Sequence, residues 1–184
     1  MKELKRHIRN KLTDIRNQIK VGNESEIVVW VLPGRLACSQ RPLRDHPQYG
    51  GLSPLPPLPP QAKSLVISWV EQIKHLGIHS IICLLENQQL ERHYIRGGLG
   101  LHERGLLGYY ESQGFKVHHF PMTDYQRPAE SDMQKVLEAF DVLPKPVLLH
   151  CSAGIDRTAP VAAYIACHEA DNNIFSPIPK TTYL

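Results

Sequence analysis

Four cysteines in 184 residues, Cys38, Cys83, Cys151 and Cys167, are too few and too scattered for a disulfide framework or a cysteine-based metal motif. No apolar run is long enough to span a bilayer, and the opening residues carry no secretory leader pattern. A reducing cytoplasm is the expected setting, and it would keep a nucleophilic thiol reduced. Charge is also in short supply. The net charge is only +3, and its excess sits in the first twenty residues, where seven Lys and Arg accompany two acids. The rest of the chain is close to neutral, and no aromatics interleave the N-terminal charges, which argues against a nucleic-acid partner. There is no internal repeat. His118 and His119 are neighbours on a predicted strand and so point to opposite faces, which leaves no basis for a metal site. Neither a metal nor a cofactor is expected.

What is present suits one core. With 42% hydrophobic residues, the length fits a single domain. Residues 1–25 are read as a basic amphipathic helix and its exit turn, with Leu4, Ile8, Leu12, Ile15 and Ile19 along one face. That stripe is expected to pack on the domain and leave a solvated basic face. The sharper alternative is peripheral contact with an acidic membrane or partner surface through residues 1–20. The helix is expected to tune location or stability and to leave chemistry untouched.

Residues 26–184 form the second unit. Ile27–Leu32 and Arg35–Cys38 predict an edge hairpin around Pro33-Gly34. Arg41 and Arg44 follow and are expected to be solvated loop arginines, with contact to substrate as the alternative. The Pro-rich loop at 52–60 predicts a polyproline II segment, and its P-x-x-P matches at 54–60 give only a weak suggestion of an SH3-type partner. Periodicity predicts a helix over 61–76, a buried strand over 78–85, a polar rim loop over 86–100, a helix over 101–113, a strand over 115–120 and a helix over 129–143. The alternation of helix and strand implies an α/β fold: a central, mainly parallel sheet flanked by helices on both faces.

The most informative stretch is His150-Cys151-Ser152-Ala153-Gly154-Ile155-Asp156-Arg157-Thr158. It joins the apolar strand 146–149 to a helix over 159–168, so a thiol opens a tight loop and a guanidinium closes it. Loop amides and a helix N-terminus together make an anion cradle. Arg157 can clamp two phosphate oxygens, and the same field favours a thiolate at Cys151. Gly154 permits a turn that a side chain could block. The Thr158 hydroxyl is placed to hydrogen-bond the sulfur.

His-Cys-x-x-Gly-x-x-Arg-Thr resembles the signature loop of the cysteine-dependent protein tyrosine and dual-specificity phosphatases, a likeness covering roughly residues 26–172. The resemblance implies a phosphatase-like fold and hydrolysis of a phosphomonoester through a phosphocysteine. It implies Cys151 as nucleophile and Arg157 with the Ser152, Ala153, Gly154, Ile155 and Asp156 backbone as the phosphate site. His150 and Thr158 tune the thiol, and Asp124, in the Pro-bounded loop 121–128, is the general acid, with Asp132 next in line. The family default substrate is a phosphoprotein. Asp156 departs from the commoner small residue and, with Ile155, argues against highly charged inositol phosphates, leaving a monophosphorylated phosphoinositide or another small phosphomonoester as the alternative. A non-catalytic phospho-binding module is the second alternative. Cys83, at the expected ligand rim, is the candidate disulfide partner of an oxidised Cys151. The family usually continues with one or two more helices, and residues 1–20 are expected to cover the surface they would occupy.

Overall fold

A computed structural model describes residues 1–51 and 56–173. The Pro-rich loop at 52–60 and the P-x-x-P matches therefore lie partly outside the described residues, as does the end of the 26–184 segment. The fold is a single α/β domain, as the alternation of elements predicts.

Two strands explain the layout. Both β3 (Ser80–Cys83) and β5 (Val147–His150) are buried at every position, the pattern of strands covered on both faces. They pair in parallel, and β5 is flanked on its other side by β2 (Leu36–Ser39), also parallel. A hairpin adds β1 (Val29–Leu32) antiparallel to β2, and β4 (Lys116–His119) closes the far edge beside β3. The order is β1-β2-β5-β3-β4, with β5 at the centre. Alternating side chains divide the core into two layers. Leu148, Ile81, Cys83 and Ala37 join Trp69 and Tyr110 on the face covered by α2 (Lys63–His75), α3 (Asn87–Tyr94) and α4 (Gly105–Ser112). Leu149, Ile82, Cys38 and Cys151 join Phe140 and Ala162 under α5 (Glu130–Val142) and α6 (Thr158–Asn173).

The N-terminal helix α1 (Lys2–Lys20) belongs to this core. Ile8 and Leu12 are buried in the α5/α6 layer, whereas Ile15 and Ile19 are buried in the opposite one, so the helix lies over the β1 edge of the sheet and packs on α6. Its exit turn is tied down by the Asn23 amide donating to the Gln18 carbonyl at 3.0 Å. The apolar stripe is thus enclosed by the domain, and any contact of residues 1–20 with an acidic surface would use the basic face alone. Arg16 also leaves that face: its Nε lies 2.6 Å from a buried oxygen of Asp45.

One element departs from the sequence reading. Residues 87–94 of the expected polar rim loop are a helix, α3. Its start is a capping box, in which Glu86 accepts the Gln89 amide and the Gln89 side chain accepts the Glu86 amide. Leu90, His93 and Tyr94 then supply a buried face. The described end of the Pro-rich loop docks beside it. The Leu58 amide donates to the His93 carbonyl at 3.0 Å. Gly97 makes this approach sterically feasible, because a Cβ there would come within 2.1 Å of the Leu58 carbonyl oxygen.

Candidate active site

The central strand β5 delivers the site. Its last residue is His150, and Cys151 to Arg157 form the loop that enters α6 at Thr158. Gly154 sits in the left-handed region at φ +79°, with Ser39 O only 3.0 Å and a Leu12 methyl 3.3 Å from where a Cβ would stand. Only glycine satisfies both demands. The turn brings the Gly154 amide back to Cys151, whose Sγ accepts it at 3.3 Å. Among the described residues, the Ala153 and Ile155 amides have no hydrogen-bond acceptor. The Ser152 carbonyl accepts the Arg41 amide at 3.0 Å, which pins the loop to the chain leaving β2. The thiol itself is only 2% exposed.

Arg157 is 1% exposed and reaches under the neighbouring loops. Its Nη1 donates to Leu84 O at 3.2 Å, Met122 O at 3.0 Å and Gln89 Oε1 at 2.9 Å. Asp124 Oδ1 lies 2.7 Å from Nη2. This is an ion pair off the line of the N–H bonds, because Nε and Nη2 have no hydrogen-bond acceptor among the described residues. A buried guanidinium edge without acceptors is costly unless a ligand completes it. Asp124 is held from three sides: by Arg157, by Gln89 Nε2 donating to Oδ2 at 2.8 Å, and by the Tyr125 amide donating to Oδ1 at 3.1 Å. Tyr125 takes φ +58°, uncommon for a side chain of its size, and the residue is 82% exposed. Asp132 lies on the surface of α5, 3.6 Å from Lys135, and is not part of this group.

His150 is fully buried, edge-on to Trp69 and Tyr110. Its Nδ1 faces the Cys151 carbonyl at 3.3 Å and its Nε2 the Tyr110 hydroxyl at 3.4 Å. Burial pushes its pKa down to about 4, opposed by the Cys151 carbonyl and reinforced by His119, Arg157 and Arg41. A neutral ring donates from Nδ1 and accepts at Nε2, so it orients the loop without adding positive charge beside the thiol. His93 is also pushed down to about 4, chiefly by burial and then by Arg41. Both values lie below that of an unfolded histidine, so the unfolded chain binds more protons between the two. Stability is expected to be complete above about pH 6.5 and to fall as the pH drops towards 4, by on the order of 3 kcal/mol for the His150 contribution. Urea midpoints measured from pH 7.5 to 4.5 check this; a midpoint independent of pH would contradict it.

Several sequence expectations change here. Arg41 and Arg44 are not solvated. Arg41 is buried, donating to Pro42 O and Tyr94 Oη at 3.2 Å each, while Arg44 is half-buried 3.3 Å from Asp45. The Thr158 hydroxyl is buried without a hydrogen-bond partner among the described residues, and the sulfur takes the Gly154 amide instead, because the left-handed turn folds that amide inward. Cys83 pairs in register with His150, so its side chain points to the layer opposite Cys151. Cβ vectors that diverge in this way do not close a disulfide, and burial pushes the Cys83 thiol up to about 12. The helix α1, expected to stand apart from the chemistry, touches the loop. Leu12 packs on Gly154, and Arg9 Nη2 lies 3.5 Å from Asp156. Gln89 escaped the sequence reading altogether, although Glu86-x-x-Gln89 is a legible capping signal.

Comparison with known proteins follows the same lines. The kinase associated phosphatase, solved with its catalytic-site cysteine replaced by serine, has the same fold at a TM-score of 0.53, with 20% identity over 74% of this chain and 66% of that one. A glycine-to-alanine form of Tk-PTP aligns at 0.49, with 17% identity over 79% and 73%. No curated protein matches the chain. The profile of the family Tc-R-P, described as polymorphic toxin system, DSP-PTPase phosphatase, matches residues 67–170. That span is more than half of the chain and includes both the Asp124 loop and the Cys151–Arg157 loop, so the protein belongs to this family and is an enzyme of the cysteine-dependent phosphatase type.

Proposed function

We propose that the protein hydrolyses phosphomonoesters of phosphoproteins through a phosphocysteine on Cys151. The observation that carries this reading is the Arg157 edge. Nε and Nη2 are buried without hydrogen-bond acceptors among the described residues, on the loop that begins with a thiol and beside a carboxylate held 2.7 Å away. A phosphate dianion takes two parallel N–H bonds from such an edge. Sγ of Cys151 attacks phosphorus, the P–S bond forms, and the P–O bond to the leaving group breaks. Asp124 gives its proton to the departing oxygen. Water then attacks phosphorus, its proton passes to Asp124, and the thiolate leaves. Arg157 and the loop amides hold the equatorial oxygens in both steps. His150 fixes the loop through the Cys151 carbonyl, and the partnerless Thr158 hydroxyl is available to the sulfur as it leaves.

Two features favour a phosphoprotein over a phosphoinositide. Tyr125, the residue that follows the acid, is an exposed aromatic. The loop presents Ile155 and Asp156 where a polyanionic head group would call for cations, and Arg9 is occupied with Asp156. Quenching the enzyme during turnover of an aryl phosphate and mapping peptides by mass spectrometry is expected to find phosphate on Cys151. Turnover without that adduct overturns the route. Rates on phosphotyrosine and phosphothreonine peptides should exceed those on monophosphorylated phosphoinositide vesicles, and the reverse order would assign the lipid reading. Tight binding without turnover would make it a phospho-binding module.

A further inference from the structure

We propose that Gln89 is a positioning residue that sets the distance between the phosphate clamp and the acid, a role that rests on the phosphatase reading above. One planar amide faces both groups with the correct polarity. Its Oε1 accepts from Arg157 Nη1 at 2.9 Å, and its Nε2 donates to Asp124 Oδ2 at 2.8 Å. The same Oε1 accepts the Glu86 amide at 3.2 Å, so the strut is anchored to the first turn of α3. The remaining contacts of the pair come from main chain and from the pair itself: Met122 O and Leu84 O on Arg157, the Tyr125 amide on Asp124. Of the side chains other than Arg157 and Asp124 themselves, Gln89 alone is hydrogen-bonded to both among the described residues.

The bond pattern fixes the orientation of the carboxyl. Oδ2 accepts from Gln89 Nε2 and Oδ1 from the Tyr125 amide, so the plane of the acid is set from two directions, one of them by Gln89. Oδ1 is also the oxygen nearest Arg157, and therefore nearest to phosphate bound on that residue. On the other side, Gln89 Oε1 shares Nη1 with Leu84 O and Met122 O, so the edge left to phosphate is the one formed by Nε and Nη2. A single amide thus ties the cation and the acid to one point on α3. Because a misplacement of about 1 Å can cost on the order of a hundredfold in rate, the strut acts on kcat more than on encounter.

Gln89→Met keeps the length and apolar bulk of the side chain and removes both hydrogen bonds. Its phosphorylation burst is expected to fall roughly tenfold with a tyrosine-like leaving group and less than twofold with an acidic phenol, because only the former needs a well-placed proton. Its affinity for orthophosphate, measured by calorimetry, is expected to weaken several-fold through the loosened Arg157. Gln89→Glu supplies a second test. Ionised, it sets a carboxylate against Asp124; protonated, its O–H replaces the lost donor, so its burst rate relative to wild type should rise as the pH falls from 7 to 5. A scaffolding role would give a deficit that is the same for every phenol and insensitive to pH, and that result overturns the proposal. Wild-type activity in both variants overturns it as well. Should wild type bind orthophosphate but form no phosphoenzyme, the reaction assigned above fails, while unchanged orthophosphate affinity in Gln89→Met separately overturns the Arg157 half of the strut.

Discussion

Asp124→Ala is expected to slow phosphorylation of the enzyme by a tyrosine-like or alkyl phosphate by roughly 10²–10⁴-fold, the usual range for a lost proton transfer. The ion pair sharpens the expectation. In the free protein Asp124 neutralises part of Arg157 from 2.7 Å away, so its removal leaves the guanidinium more available to a phosphate dianion. Binding of orthophosphate should therefore hold or tighten while the chemical step collapses. The deficit must also depend on the leaving group. An alkoxide or ordinary phenolate needs the proton, whereas an acidic phenol departs as its anion. Water activation in the second step slows overall turnover in this variant, so the quantity to compare is the pre-steady-state burst across phenols of increasing acidity. A deficit that stays constant along the series removes Asp124 as the acid, and Asp132 would not inherit the role easily, since it lies with Lys135 on the outer surface of α5.

Removal of residues 1–20 is expected to unfold the protein. Ile8, Leu12, Ile15 and Ile19 are buried, two in each layer of the core. Each such side chain contributes about 1.5–3 kcal/mol, or roughly 6–12 kcal/mol for the four. Even with a discount for a compact unfolded chain, that approaches the ~5–15 kcal/mol that holds a whole domain together. The deletion also takes Arg16 from the buried Asp45, leaving that carboxylate to Arg44. A truncated chain with no cooperative thermal transition is the expected result, and one that melts within a few degrees of wild type would refute it. Leu12→Ala is the graded version, costing about 2–5 kcal/mol as a cavity. Because Leu12 packs on Gly154, this variant should also lose affinity for orthophosphate while still folded.

The core and the chemical residues were legible in the sequence for different reasons. The strands at 80–83 and 147–150 are short apolar runs between breakers, and buried parallel strands have no other pattern to show. Cys151, Gly154 and Arg157 share one loop, so their spacing along the chain is their spacing in space. Asp124 was found through a family pattern, and its approach to Arg157 is a long-range contact that no local signal encodes. The helix α3 was missed because its polar composition resembles a loop, and its stability comes from the reciprocal cap and from burial of Tyr94. Gln89 was missed with it. The burial of Arg41 was hidden for a related reason: a guanidinium between Pro42 O and Tyr94 Oη is indistinguishable, in sequence, from one in water.

The contact between α1 and the Cys151 loop has a temporal side. Arg9 and Asp156 are 147 positions apart in the chain. During synthesis the helix emerges well before the last strand of the sheet and the loop after it, so α6 and Gly154, the partners of Ile8 and Leu12, are not yet there to pack on. Contacts of such separation form late, after the closure of the long loop between them has been offset by the rest of the core. The thiol loop is therefore seated only when two segments made far apart in time meet. A nascent or partly degraded protein, with its sheet begun but its first helix undocked, would hold the nucleophile without the turn that aims it, and would be inert towards phosphoesters until folding is complete.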